Sequence, residues 1–249
     1  MSNATHDTAI ELQNVTKAFT TEARGRVVAI QDVNLQIESK SFVAVVGPSG
    51  CGKSTILNMV AGLMPPTEGT VFYKGKPVNK INTDAGYVTQ ESKLFPWLTL
   101  EQNVSFPLEV RGIDKQRRKE LVEEHLAMVG LTGFEKAYPY QLSGGMQKRA
   151  SIMRTLIYDP DVILMDEPFG PLDAQTRMIL QNELLNIWDK KKKTIVFVTH
   201  DLVEAIALSD KVVVMSNRPS RIRAVIDVPL SRPRNVFEIN QQEGFAETY

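Results

Sequence analysis

The fold of this chain is decided by one stretch, Phe42-Val43-Ala44-Val45-Val46-Gly47-Pro48-Ser49-Gly50-Cys51-Gly52-Lys53-Ser54-Thr55. Its second part fits the pattern G-x-x-x-x-G-K-[ST] of a phosphate-binding loop, and its first part is the apolar strand that must precede such a loop. Closely spaced glycines let successive backbone N–H groups turn toward phosphate oxygens, and the helix that follows adds its positive N-terminal end. All nine residues 47–55 are therefore predicted to surround a nucleotide's phosphates.

Within this loop, three side chains have different expected roles. Lys53 would reach the β- and γ-phosphates, and the Ser54 hydroxyl would be a ligand of Mg²⁺. Cys51 is expected to contribute its backbone rather than its thiol. The loop thus predicts the phosphates of a nucleotide, together with Mg²⁺, as its ligands.

Composition narrows the class of protein. The 249 residues suffice for one large domain or two small ones, and 29 basic residues balance 29 acidic residues. Balanced charge gives no bulk attraction for nucleic acid, so we expect no nucleic-acid partner. A single cysteine excludes an intramolecular disulfide and suits a reducing compartment. No apolar run approaches the ~18 residues that cross a bilayer, so any membrane role is expected to come through a partner.

The order of apolar segments predicts an α/β fold. Short strands at 10–15, 27–30, 33–37 and 70–73 are expected to form an antiparallel layer. Later strands at 162–165 and 194–199 are continuously apolar, which is typical of strands buried on both faces of a mostly parallel sheet. The remaining predicted elements are a strand at 211–215 and helices at 55–62, 117–129, 150–158 and 176–189. Motifs at the carboxyl ends of the parallel strands should lie together, because ligands bind there.

The two ends of the chain are polar. Residues 1–7 are small and polar and are expected to be flexible. Residues 231–249 are weakly patterned and are predicted to form a tail or the start of a longer one.

Two carboxylates follow the apolar strand at 162–165. Asp166 can hold the hydration shell of Mg²⁺, while Glu167 points the other way along the pleat and can polarise an attacking water. By themselves, an Asp and a Glu at the end of a strand are more often ordinary polar residues of a loop. A phosphate-binding loop in the same chain makes the catalytic interpretation more specific.

A pair of glycines, in Leu142-Ser143-Gly144-Gly145-Met146, precedes another helix. Ser143 is a suitable N-cap, which would be a purely structural role. Adjacent glycines are costly unless the backbone must approach something closely. A second phosphate is the candidate ligand for Ser143, Gly144 and Gly145.

Together these motifs resemble the nucleotide-binding subunit of an ATP-binding cassette (ABC) transporter, over almost the full chain. The segment 142–146 is similar to that family's signature sequence. The other similar segments are Tyr87-Val88-Thr89-Gln90 for the Q-loop, Phe169-Gly170-Pro171-Leu172-Asp173 for the D-loop, Thr199-His200-Asp201 for the switch histidine and Lys17-Ala18-Phe19 for an aromatic that stacks on adenine. Two residues depart from the family pattern: Met146 replaces the usual glutamine, and Pro171 replaces the usual alanine and stiffens the backbone.

The resemblance implies a P-loop NTPase (RecA-like) core with an antiparallel β subdomain and an inserted α-helical subdomain. These would form one ABC ATPase domain over 1–249, with the helical insertion at roughly 92–158. Two of these residues also have purely structural interpretations: Phe19 could pack against neighbouring side chains, and His200 could be a core histidine.

The resemblance also implies a mechanism in which two copies associate head to tail around two ATP molecules. The Ser143–Gly145 segment of one copy would close on the ATP that the other copy's loop holds, and Asp173 would communicate between the sites. Gln90 would sense the γ-phosphate and join Ser54 and Asp166 at Mg²⁺. Glu167 would act as general base, with His200 supporting the geometry.

The implied partners are a second ATPase subunit, expected to be identical, and integral membrane permease subunits. Indirectly they include a periplasmic or lipid-anchored solute-binding protein, and the location would be the cytoplasmic face of the bacterial inner membrane. The apolar run at 94–98 either packs in the core or receives a permease helix, with Trp97 as anchor. The segment 215–222 and the Met-type signature resemble importers for nitrate, taurine and other sulfonates.

Two other functions compete with transport. ATPases of similar sequence serve soluble assemblies such as iron–sulfur cluster machinery, which would have only soluble partners. The second competing function is that of a nucleotide-binding regulator that does not hydrolyse ATP. The complete set of Asp166, Glu167 and His200 argues against it. DNA-repair ATPases of related fold carry long coiled-coil insertions, which this sequence lacks.

Overall fold

A computed structural model describes residues 7–21, 25–170 and 172–249. The strands are β1 (Thr8–Thr21), β2 (Gly25–Glu38), β3 (Phe42–Val46), β4 (Glu68–Tyr73), β5 (Lys76–Pro77), β6 (Ala85–Val88), β7 (Val162–Asp166), β8 (Thr194–Val198), β9 (Lys211–Met215) and β10 (Ile222–Asp227). The α-helices are α1 (Lys53–Val60), α2 (Leu100–Val110), α3 (Lys115–Met128), α4 (Gly144–Leu156), α5 (Ala174–Lys191), α6 (Leu202–Leu208) and α7 (Phe245–Thr248). Two 3-10 helices lie at Pro139–Gln141 and Val236–Gln241.

The strands form two sheets. One is antiparallel, in the order β2-β1-β4-β5, and the other has six strands in the order β10-β9-β3-β8-β7-β6. In the larger sheet the neighbours from β9 to β6 pair in parallel, and only the edge strand β10 is antiparallel. The predicted antiparallel layer and mostly parallel sheet are therefore confirmed.

The larger sheet separates two hydrophobic cores. All five residues of β3, β7 and β8 are buried, as their continuous apolar sequences predict. Successive side chains point to opposite faces: Phe42 and Ala44 join the core beneath α2–α6, while Val43 and Val45 join the core shared with α1 and the antiparallel sheet. Covering both faces fixes the positions of the loops at the strand ends.

The structure also contains elements that the sequence analysis missed or bounded differently. The segments predicted at 27–30 and 33–37 form one strand, β2, with a register irregularity near Asp32, whose φ is +49°. Strands β6 and β10 and helices α2 and α6 were not predicted. Helix α2 contains Pro107 and begins with a capping box formed by Thr99 and Gln102. Helix α4 begins at Gly144 rather than at 150, because Ser143 is its N-cap.

Residues 231–249, predicted as a tail, are folded onto the core. Val236, Ile239 and Phe245 are buried in the core beneath the larger sheet. The buried Arg234 guanidinium donates hydrogen bonds to the carbonyls of Ile206, Ala207, Ser209 and Leu230. The bonds to Ile206, Ala207 and Ser209 satisfy carbonyls at the end of α6, where a helix has no partners of its own for them.

The predictions for 1–6 and for Pro171 fall outside the described residues. Within the described ranges, no helix combines the length and apolar character that a membrane crossing requires.

Candidate functional site

The phosphate-binding loop connects β3 to α1 through glycines that other residues could not replace. Gly52, the residue before α1, has φ +109°, and a Cβ there would lie 2.9 Å from Cγ1 of Ile30 on β2. A Cβ on Gly47 would lie 2.9 Å from Cβ of Met215 at the end of β9. The loop is therefore held tightly between both sheets, with no space for a side chain at either position.

The Lys53 ammonium is folded back over this loop. The residue is only 6% exposed, and Nζ donates to the carbonyl oxygens of Gly47 at 2.8 Å and Pro48 at 3.1 Å. The side chain of Cys51 is buried. The loop thus combines a lysine charge with backbone N–H groups at a helix N-terminus, which is the arrangement that binds phosphates.

Ser54 and Asp166 meet at the base of the loop. The Ser54 hydroxyl donates to Oδ1 of Asp166 at 2.9 Å, joining α1 to the end of β7. Burial raises the pKa of Asp166, and the hydrogen bond from Ser54 opposes that rise. A hydroxyl and a carboxylate in contact are the hard oxygen ligands that Mg²⁺ takes beside phosphates, so the residues fit this ion.

The Glu167 carboxylate, after β7, lies between two side chains that follow the neighbouring strands β6 and β8. Gln90, after β6, donates from Nε2 to Oε2 of Glu167 at 3.3 Å, and Nδ1 of His200, after β8, lies 3.5 Å from Oε1. The Glu167 backbone has φ +43° and its N–H donates to the Val198 carbonyl at 2.9 Å. A left-handed glutamate is strained, and such strain concentrates at functional sites.

Lys148 on α4 contacts the Gln90 segment, which the sequence analysis did not foresee. The side chain is fully buried, and Nζ donates to the carbonyls of Thr89 at 2.7 Å and Gln90 at 2.9 Å. Burial lowers the pKa of Lys148 to about 8. No motif marked this lysine, because its position depends on how α4 packs beside β6.

A second unforeseen group is Glu204 on α6. Its buried carboxylate accepts from Thr199 Oγ1 at 2.7 Å and from Gln181 Nε2 at 2.9 Å. Burial raises the pKa of Glu204. The carboxylate therefore joins α5, which follows Asp173, to the segment that carries His200.

The glycine pair and Asp173 are not brought to the phosphate-binding loop within one chain. Ser143 accepts from the Met146 N–H at 3.3 Å, and a Cβ on Gly144 would meet nothing within 4 Å. Asp173 is exposed and accepts from the Thr176 N–H at 2.9 Å, a bond that lowers its pKa. Among the described residues, no hydrogen bond joins 143–145 to the loop.

Phe19 remains a candidate for stacking. It lies on β1 and is 38% exposed, with Lys17 Nζ 5.4 Å from its ring centroid. Lys17 pairs with Ile30, the residue that a Cβ on Gly52 would touch, so this part of β1 lies beside the loop. The ring is thus partly exposed on a strand that lies beside the loop.

The run at 94–98 is divided: Leu94 packs against the core, whereas Trp97 is exposed. Trp97 is 70% exposed, and its ring centroid lies 5.5 Å from that of Phe95, which lies 5.0 Å from Phe106 on α2. The fully buried Asn103 fixes this turn by accepting from the Phe95 N–H and donating to the Phe95, Leu98 and Thr99 carbonyls. A rigid turn therefore presents Trp97 to the outside.

Comparison with known proteins agrees with the geometry. The profile of the ABC transporter family matches residues 30–170. An uncharacterised ABC transporter ATP-binding protein of Methanocaldococcus jannaschii is 53% identical over 227 residues, which cover 91% of this chain and 84% of that protein. An aliphatic sulfonates import ATP-binding protein of Bacillus thuringiensis is 48% identical over 226 residues, which cover 91% of this chain and 88% of that protein.

Solved structures lead to the same family. A dimeric post-hydrolysis state of an ATP-binding cassette, bound to ADP and Pi, has a TM-score of 0.80 and 32% identity, covering 88% of this chain and 98% of that one. A dimeric bacterial ABC transporter cassette has a TM-score of 0.81 and 33% identity, with the same coverage. The chain belongs to the ABC transporter family, as an ATP-binding cassette that hydrolyses ATP.

Proposed function

We propose that this cassette is the ATPase subunit of an importer for a small solute and works as a head-to-tail dimer bound to membrane permease subunits. The observation that carries the proposal is the 48% identity to an aliphatic sulfonates import ATP-binding protein over 91% of this chain. A nitrate, sulfonate, taurine or similar small solute is the proposed cargo. The proposed location is the cytoplasmic face of the bacterial inner membrane, with a periplasmic or lipid-anchored solute-binding protein as indirect partner.

In this proposal one chain supplies the phosphate-binding half of each site. The nine residues 47–55 hold the ATP phosphates, and Phe19 stacks on adenine. The Ser54 hydroxyl and the Asp166 carboxylate, in contact at 2.9 Å, would hold Mg²⁺ together with Gln90. When bound, the ion neutralises charge on the β- and γ-phosphates.

Glu167 is the proposed general base. Its carboxylate already accepts from Gln90 and lies 3.5 Å from His200 Nδ1, so both neighbours restrict its orientation. It would accept a proton from the water that attacks the γ-phosphate, and His200 would support that geometry. Lys53 and the loop N–H groups would stabilise the charge that develops on the phosphate oxygens.

The second copy would complete each site. The exposed Ser143 and Gly144 and the half-buried Gly145 would close on the ATP held by the partner copy, and the exposed Asp173 would connect the two sites. The open space above Gly144 supports close approach of another surface. Both solved relatives described above are dimers. We also propose that residues of roughly 92–158 act as a helical subdomain within the 1–249 domain.

Trp97 is the proposed anchor for a cytoplasmic helix of the permease. A single large aromatic that is exposed on a rigid turn is typical of binding hot spots. The test is co-purification of tagged chain from detergent-solubilised membranes of the source organism, at salt that screens surface charge. Trp97→Ala should lose the multi-span partner and keep ATP binding, whereas Phe237→Ala, which removes an aromatic that is 51% exposed elsewhere, should keep both.

Two results would contradict the proposal. Recovery of soluble partners alone, with ATPase activity intact, would favour a soluble assembly such as iron–sulfur cluster machinery. Retention of the permease by Trp97→Ala would remove the anchor role. For the cargo, uptake of labelled taurine, an alkanesulfonate and nitrate should be compared between cells with the wild-type chain and cells with Glu167→Gln, and loss of uptake should identify the solute.

A further inference from the structure

Within the described residues, the ammonium of Lys148 is the only α4 side-chain group that forms hydrogen bonds with the backbone of Thr89 and Gln90. Lys148 is among the largest side chains with no exposed surface. Because lysine is almost never fully buried without a specific partner, its position needs an explanation. The Lys148 charge also interacts with the Asp166 carboxylate, but its hydrogen bonds go to the carbonyls of Thr89 and Gln90.

The two carbonyls that Lys148 binds lie immediately after β6. Strand β6 lies at the edge of the larger sheet. Along the described chain, the next helix or strand after β6 is α2, which begins at Leu100. The 2.7 Å and 2.9 Å bonds from Nζ therefore hold the start of this irregular segment against α4. The Gln90 side chain extends from the same residue toward Glu167, at 3.3 Å.

We infer that Lys148 is a positioning residue for Gln90: its ammonium fixes the Thr89–Gln90 backbone to α4 and so keeps the Gln90 amide within reach of Glu167. The inference rests on the role proposed for Gln90 in ATP hydrolysis. Lys148 does not contact the reacting atoms, and its effect on turnover passes through the Gln90 backbone. Removal of the ammonium should release the segment without altering the phosphate-binding loop.

The test is a double-mutant cycle between Lys148→Met and Gln90→Ala in the full chain. Methionine keeps the length and volume of the side chain and removes the three donors. Lys148→Met should lower kcat about tenfold and leave KM for ATP within about twofold, because it acts on a residue of the hydrolysis step. In the double variant the two effects should not multiply, because each removes the same interaction.

A matched control is Arg149→Met on the same helix. Arg149 donates to the Val129 carbonyl at 2.6 Å, away from Gln90. Arg149→Met likewise removes a hydrogen bond from a charged side chain to a backbone carbonyl. In contrast to Lys148→Met, its effect on kcat should multiply with that of Gln90→Ala. If Lys148→Met fails to fold, Lys148→Gln, which keeps an N–H donor on a shorter side chain, enters the same cycle.

Amide hydrogen exchange gives a readout that is independent of turnover. Exchange at 89–91 should become faster in Lys148→Met and stay unchanged in Arg149→Met. Unchanged exchange, or multiplying effects in the cycle, would overturn the positioning role. Wild-type turnover in Gln90→Ala alone would instead show that the proposed role of Gln90 fails, whatever exchange at 89–91 reveals about the anchor.

Discussion

The glycines of the phosphate-binding loop and the glycine pair at 144–145 look alike in sequence but have opposite surroundings. A Cβ on Gly52 would lie 2.9 Å from Ile30, and the residue has a left-handed φ of +109°. A Cβ on Gly144 would meet nothing within 4 Å. The first glycine is required by the fold of one chain, whereas the second has no structural reason within it.

The side chains of the two regions differ in the same way. Lys53 and Asp166 are buried and hydrogen-bonded inside the chain. Ser143 and Asp173 are exposed, and each bonds the first turn of the helix that it caps. The phosphate-binding loop is therefore complete within one chain. The region of Ser143 and Asp173 is an exposed polar surface, as a head-to-tail dimer would need.

The largest expected effect tests the region around the phosphate-binding loop. Glu167→Gln should lower kcat at least 100-fold, because the amide cannot accept the proton from the attacking water. ATP affinity should stay within a few-fold, since Lys53 and the loop are unchanged. Steady-state hydrolysis and equilibrium binding of ATP measure the two quantities.

Glu91→Gln is a matched control for this change, because its carboxylate is exposed and its neutralisation leaves the Glu167 cluster intact. It should keep wild-type turnover. Wild-type turnover in Glu167→Gln would exclude the proposed base.

The next effect compares the two kinds of glycine directly. Gly52→Ala should destabilise the chain by about 1–3 kcal/mol and weaken ATP binding, because the methyl group strains the loop. Gly144→Ala should leave the free energy of unfolding and ATP binding by the isolated chain unchanged, yet lower turnover more than tenfold, since the methyl group would obstruct the partner copy's ATP.

Thermal unfolding, ATP titration and ATP-dependent dimerisation distinguish the two variants. If Gly144→Ala hydrolyses ATP and dimerises normally, the open glycine has no role at an interface. If Gly52→Ala is as stable as wild type, the loop is less constrained than the contact with Ile30 indicates.

The elements predicted most accurately from sequence are those whose signal is local. The strands β7 and β8 are continuous apolar runs, and the phosphate-binding loop has fixed spacing, so both could be found without tertiary information. Helix α2 was not predicted: it contains Pro107, a residue that is unfavourable inside a helix, although a capping box begins at Thr99. The short strand β6 was also missed. It contains Gly86, and only the structure shows why a glycine stands there: Pro160 and Thr155 leave no space for a Cβ.

The parts of the site that depend on packing could not be predicted. Lys148 and Glu204 are ordinary charged residues of helices in the sequence, and only the structure shows their buried contacts. The difference between Gly52 and Gly144 is also invisible in sequence, because it lies in what surrounds each Cα.

A smaller effect is expected at Phe19, which belongs to neither region. Phe19→Ala should raise KM for ATP about 3- to 10-fold with little change in kcat, since loss of a stacking partner costs about 0.5–1.5 kcal/mol of binding. Steady-state kinetics with ATP and GTP measure it. Equal KM values for Phe19→Ala and wild type would assign Phe19 to packing alone.

The smallest effect concerns the end of β7 opposite to Asp166 and Glu167, the carboxylates with proposed roles in hydrolysis. Asp161 directly precedes β7, and hydrogen bonding by Lys74 holds its pKa below the ordinary value of 3.8, with Lys193 adding to the effect. A lowered pKa in the folded state contributes stability above pH 4 that is lost as the pH falls through the folded value. Because both side chains of the Lys74 pair are exposed, we expect Asp161→Asn to cost on the order of 0.3 kcal/mol at pH 7.

Urea unfolding of Asp161→Asn and wild type at pH 7 and pH 2, at low and high salt, tests this expectation. The difference in free energy should shrink at pH 2 and at high salt, because protonation and screening each weaken the ion pair. ATP turnover should remain at the wild-type rate. Loss of turnover would mean that the two ends of β7 are coupled, and that the catalytic end is not positioned by the buried strand alone.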